Sequence, residues 1–160
     1  MTSGRVGRRS FLAMGAGLLL TGCATSYADN PAIPVIRRVQ VSGSGNLWLQ
    51  RMPPFLQRNL VRQLGSRYQP GAKSGATLSV ALTDISFPVD SDGGLISFDS
   101  VDTLDGRVTL LSSSGGVIKS FPLFATTSSV DAAPEVPDPT PRRYDWLASS
   151  YAHWLLSTLA

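Results

Sequence analysis

One cysteine and one histidine in 160 residues leave this chain little to do chemistry with. Cys23 has no second thiol to pair with, so the fold must rest on packing without an internal disulfide. Zinc or iron held by nitrogen and sulfur donors is excluded on the same count, because His153 and Cys23 cannot make a set of three or four. His153 falls on the polar side of a C-terminal helix pattern, and nothing near it in sequence supplies the nucleophile and orienting group a catalytic base needs. The Gly43–Gly45 pair lacks the third glycine of a dinucleotide turn, since position 48 is Trp. Asp90 and Asp92 lack the remaining ligands of a calcium loop. Asp99, Asp102 and Asp105 read as solvated carboxylates in a turn before a hairpin. The sequence therefore predicts no enzyme, no metal and no cofactor.

Long apolar runs are also missing. The longest, Phe11 to Leu20, has ten residues and carries Gly15 and Gly17. As a helix it covers about 15 Å, half of a bilayer core near 30 Å, so it cannot span. No later segment reaches 18 apolar residues. Acids are absent before Asp29, whereas Arg5, Arg8 and Arg9 precede the run. Basic end, short apolar centre and a small residue before a cysteine make the arrangement of a signal peptide covering residues 1–22.

Leu20-Thr21-Gly22-Cys23 resembles the lipobox of bacterial lipoproteins. The resemblance implies cleavage before Cys23 and acyl chains on it; two or three such chains anchor a protein stably where one does not. Arg8-Arg9-Ser10-Phe11-Leu12 also resembles the twin-arginine export signal, with a general secretory signal as the alternative. Ala24, rather than an aspartate, follows the cysteine, which by the lipoprotein sorting rule implies the outer membrane, facing the periplasm, with the inner membrane the alternative. Membrane attachment is then through the acyl chains on Cys23 alone.

Removing the first 22 residues takes three arginines and no acid. The +3 formal charge of the whole chain thus becomes 11 basic against 11 acidic residues, and nothing points to nucleic acid. The charges are nevertheless segregated. Seven basic residues and no acid lie between Arg37 and Lys73, and nine acids lie between Asp84 and Asp138.

Residues 23–34 form a polar, proline-bearing tether, and residues 35–160 are long enough for one domain with its own core. Val35 to Val41 predicts a strand with Val35, Val39 and Val41 on one face. Pro53 or Pro54 opens a helix reaching about Arg67, with Leu56, Leu60 and Leu64 on one stripe and Arg58 and Arg62 opposite. That arginine face is solvated or is a contact for anionic lipid or an acidic partner. Ala76 to Phe87 alternates as a strand, a short strand piece is expected at Leu95 to Phe98, and Leu104 to Ala125 folds as a hairpin. Pro122, lacking an N–H, confines the last strand to an edge or bulge. Residues 131–140 read as a surface loop. Thr140-Pro141 starts a final helix with the stripe Tyr144, Ala148, Tyr151, Leu155 and Leu159, widened by Leu147 and Trp154.

The expected fold class is α+β: a small antiparallel sheet of about four strands under two amphipathic helices, in the order β-α-β-β-β-α. That order behind a lipobox is similar to small outer-envelope lipoproteins of the lipopolysaccharide-assembly type, and to auxiliary lipoproteins of lipid-trafficking ABC transporters. The resemblance implies a non-catalytic accessory or scaffold subunit with an envelope protein partner. A module holding an acyl chain between sheet and helices is the alternative.

Overall fold

The alternating run after Gly75 becomes the centre of the domain. In the computed structural model, which describes residues 33–88, 101–128 and 139–160, it forms β2 (Ala76–Ser86). Leu78, Val80 and Leu82 point to one face and are buried. β1 (Ile36–Gly43) lies along one side of β2, and β3 (Val101–Leu111) followed by β4 (Val117–Ser128) along the other, giving the spatial order β1-β2-β3-β4.

The α+β class is as expected, but the sheet is mixed. β2, β3 and β4 are antiparallel neighbours, whereas β1 pairs with β2 in parallel. The reason is the connection. Parallel neighbours need a crossover long enough to carry the chain back along the sheet, and the helical stretch between β1 and β2 supplies it. Pro122 sits in β4, which among the described strands bonds only to β3, so the missing donor falls on an edge strand as anticipated.

The simple alternation expected for the first strand fails at its start. A bulge between Ile36 and Arg38 inserts one extra residue, so Ile36 and Val39 both face the core although they are three apart. Two stretches of helix follow instead of one. Asn46 caps α1 (Leu47–Arg51), its side-chain oxygen accepting from the Leu49 N–H at 2.9 Å. Gly43 lets this turn close on the strand, since a Cβ there would lie 2.5 Å from the Leu49 carbonyl oxygen. α2 (Pro53–Leu64) then runs with proline in its first turn and stops at Gly65, whose φ of 52° suits glycine. A 3-10 turn carries the chain on to Arg67.

α3 (Pro141–Leu159) begins as read from the sequence, with the Thr140 hydroxyl accepting from the Arg143 N–H. Both long helices cover the same face of the sheet and pack on each other. Leu56, Leu60 and Leu64 of α2 meet Leu147, Tyr151, Leu155 and Leu156 of α3 and the inward residues of the strands in one buried cluster. Trp154 departs from the expected stripe and is 53% exposed. It lies between Ser150, which donates to the Thr126 carbonyl, and Thr158, whose carbonyl accepts from Lys119. That flank of α3 overhangs the β4 edge, where no further strand lies among the described residues to bury an indole. Among the described residues no helix is long and apolar enough to cross a membrane. The short strand expected at Leu95 to Phe98, the Asp90–Gly94 turn and the loop over 131–138 lie outside the described residues.

Candidate functional site

Asp102 and Arg143 are the most deeply buried charges among the described residues. Asp102 was expected in a turn. It lies instead in β3, two positions before Leu104, and therefore on the inward face with Leu104, Gly106 and Val108. Arg143, in the first turn of α3, projects from the same side of its helix as Leu147 and Tyr151. Their side chains are 1% and 4% exposed and form an ion pair in which the guanidinium engages both carboxylate oxygens. Arg143 also donates to the Pro88 carbonyl at 3.1 Å and stacks 5.2 Å above the Phe87 ring. A charge taken out of water must be paired and hydrogen-bonded to be tolerated, and this one is. The signal was present in the sequence: an acid in phase with inward leucines, and an arginine in phase with a buried stripe.

Above the pair lies a layer of rings. Phe87 packs edge-on against Tyr144 at 4.9 Å and against Trp48 at 5.7 Å, and Tyr144 stacks on Phe55 at 5.2 Å. These tie α1, α2, α3 and the end of β2 together. A cavity of about 430 Å³ opens beside them, lined by Arg51, Pro54, Phe55, Pro139, Pro141 and Tyr144. Its walls are ring faces and prolines with one guanidinium at the rim. No nucleophile with an adjacent base lines it.

The arginines proposed for lipid or partner contact are drawn into the seam between α2 and α3. Arg58 donates to Asp145 at 3.0 Å and lies over the Phe55 ring. Asn59, fully buried, donates to the same carboxylate at 2.9 Å and accepts from Arg62. Burial alone would raise the Asp145 pKa; the hydrogen bonds from Asn59 and Arg58, with the charges of Arg58 and Arg62, outweigh it and hold the carboxyl below the ordinary range. Gln63 completes the seam by donating to the Ser149 carbonyl. Part of the segregated charge thus cancels internally, through Arg58 with Asp145 and Arg143 with Asp102.

His153 is exposed and meets the Trp154 ring edge-on at 5.8 Å. Tyr151 is buried with its hydroxyl 2.7 Å from where a Cβ on Gly106 would sit. Its burial, aided by Asp105, pushes the phenol pKa above its ordinary value. Among the described residues no group of three His, Cys, Asp or Glu side chains could hold a metal. Arg8, Arg9, Phe11, Leu12, Leu20, Thr21, Gly22 and Cys23 all lie outside the described residues, so the geometry adds nothing to the export and lipidation signals.

No protein-family model matches this sequence, and no curated protein does. Among solved structures the chain is similar to a candidate lipoprotein of Caulobacter crescentus, with a TM-score of 0.54 and 15% identity, covering 78% of this chain and 87% of that one. It is also similar to PelC of Paraburkholderia phytofirmans, a dodecamer, at a TM-score of 0.49 and 19% identity over 81% and 90% of the two chains. Lipoprotein GNA1162 of Neisseria meningitidis matches at 0.31 and 13%, over 75% and 98%. The last two scores are too low to bear an argument. The first, at 15% identity, establishes a shared fold: the four-stranded sheet with helices on one face that this chain adopts also occurs in a candidate bacterial lipoprotein.

Proposed function

We propose that this chain is a non-catalytic envelope lipoprotein, held to the outer membrane by acyl chains on Cys23, whose domain is an accessory or scaffold subunit in lipid or lipopolysaccharide transport. The observation that carries the reading is the N-terminal sequence, in which Arg8-Arg9-Ser10-Phe11-Leu12 leads through a ten-residue apolar run to Leu20-Thr21-Gly22-Cys23. The fold shared with a candidate lipoprotein supports it. So does the use made of the polar side chains. Asp102, Arg143, Arg58, Asp145, Asn59 and Gln63 are taken up in contacts that hold elements together.

The scaffold reading is favoured over an acyl-chain carrier by the layer between sheet and helices. It is occupied by Tyr151, Leu60, Leu78, Leu104, Leu147 and Leu155, each fully buried. The 430 Å³ cavity lies at the helix ends, outside that layer.

The test is purification of the membrane-extracted protein in mild detergent, with identification of co-purifying proteins and of lipid by mass spectrometry. A scaffold brings a stoichiometric envelope protein and no lipid beyond its own acyl chains. Stoichiometric extra lipid without a partner protein contradicts the reading.

A further inference from the structure

The basic side chains outside the α2–α3 seam are gathered toward one end of the sheet. Ile36 of β1 pairs with Ala76 of β2; Thr77 pairs with Leu111 of β3, and Leu111 with Val117 of β4. These residues mark one end of the sheet, and the chain enters the domain there, at the buried Ile33. The same end gathers basic side chains from four separate segments. Arg37 and Arg38 start β1. Arg67 precedes Tyr68, which bridges to Ile36, and Lys73 leads into β2. Lys119 of β4 donates to the Thr158 carbonyl at the end of α3, and Arg37 reaches the Ser113 carbonyl in the β3–β4 turn.

Among the described residues the acids are Asp84, Asp102, Asp105 and Asp145. Asp105, the sheet acid closest to this end, is six residues up β3 from Leu111, or about 20 Å at the rise of a strand. That is more than twice the roughly 8 Å screening length at physiological salt, so the sheet acids do not offset the basic end. Behind the polar turn over 112–116, Val117 and Ile118 are 66% and 57% exposed.

We infer that this end of the domain rests on an anionic lipid surface, with Arg38 and Lys73 over the head groups and Val117 and Ile118 dipping among them. The inference builds on the anchoring reading, because residues 23–32 between Cys23 and Ile33 span at most about 35 Å and arrive at this end and no other. An acyl-anchored Cys23 therefore brings the basic end, where the chain enters the domain, within about 35 Å of the bilayer. Guanidinium and ammonium groups within a screening length of anionic lipid attract it individually, and short apolar side chains add to that attraction by entering the interface.

The experiment is amide hydrogen exchange of the processed, membrane-extracted protein. It is mixed with vesicles of phosphatidylcholine alone or with 30% phosphatidylglycerol, and read over Ser112–Lys119 and Lys73–Ala76. Exchange should slow on the anionic vesicles only, and the slowing should vanish in 0.5 M salt. Arg38→Glu with Lys73→Glu, both at exposed positions, should weaken the interaction by roughly 30-fold or more, from about fivefold per basic residue. Arg142→Glu, at the opposite end, should leave it intact. Circular dichroism melts establish that each variant is folded.

Equal exchange on the two vesicle types overturns the inference, as does equal loss with Arg142→Glu. The anchor is read separately, from the intact mass of wild type and Cys23→Ser. If Cys23→Ser is still cut before residue 23 and carries the same added mass as wild type, the anchoring reading fails, and the lipid surface is still judged by exchange at saturating vesicle concentration.

Discussion

Asp102→Ala is expected to be among the most damaging single substitutions in the domain, though it removes no apolar packing. In the wild type the Arg143 Nε donates to Oδ2 at 3.2 Å and the Nη2 engages the other carboxylate oxygen, with both side chains almost wholly excluded from water. Removing the carboxylate leaves a buried guanidinium without its counter-ion, although it keeps the Pro88 carbonyl and the Phe87 ring face. Breaking one side of such a pair costs about 3–5 kcal/mol, a large share of the 5–15 kcal/mol that holds a typical domain folded. For a domain of this length that corresponds to a Tm drop of roughly 10–20 °C by circular dichroism. The control is Asp102→Leu combined with Arg143→Met, which removes both charges and refills the space with apolar atoms. It should return to within about 2 kcal/mol of wild type or exceed it, because the desolvation of two ions no longer has to be offset. A loss below about 1 kcal/mol for Asp102→Ala, or a double variant no better than the single, would refute the claim that this pair is buried and coupled.

Other expectations follow from the same packing. Gly106→Ala places a Cβ 2.7 Å from the Tyr151 hydroxyl and 2.9 Å from the Ala81 carbonyl oxygen, and should cost about 1–3 kcal/mol in a urea titration because the backbone atom cannot yield. Tyr151→Phe should change stability by no more than about 1 kcal/mol, since its buried hydroxyl finds no hydrogen-bond partner among the described residues, and it should soften the Gly106→Ala loss. Asp145 is held below the ordinary carboxylate range, so its contribution is complete above a pH of about 4 and is lost as pH falls through the lowered value. Because the Arg58–Asp145 pair is partly exposed, the effect should be about 1 kcal/mol at most, and melts of wild type and Asp145→Asn should converge in acid. Leu60→Ala should cost about 2–5 kcal/mol through the cavity it opens between α2 and α3.

The elements legible from sequence alone were those whose pattern is local. The Leu78–Val80–Leu82 alternation, the Thr140-Pro141 cap and the Leu56–Leu60–Leu64 stripe each state their own structure, and each formed as expected. What failed depended on a partner distant in sequence. A bulge at Arg37 shifts the phase of β1 for reasons that lie in its pairing with β2. Trp154 carries helical spacing suited to burial, yet the sheet ends beneath it at β4. Asp102 looked solvated because composition around it is polar; its phase with Leu104 was the better guide, and its ion pair with Arg143, 41 residues away, helps to explain why it is tolerated inside. Charge segregation was visible as a count. Its meaning needed the register that puts Arg37, Arg38, Lys73 and Lys119 at one end and Asp84, Asp102 and Asp105 toward the other.

The central claim, that a lipid on Cys23 holds this domain to a membrane, is tested most directly by the intact mass of the protein recovered from the membrane fraction. The account predicts a chain beginning at Cys23 and heavier than its residues by two or three acyl chains, with Cys23→Ser unprocessed and unacylated. A membrane-derived chain that begins at Met1, or one that begins at residue 23 with no added mass, would contradict it.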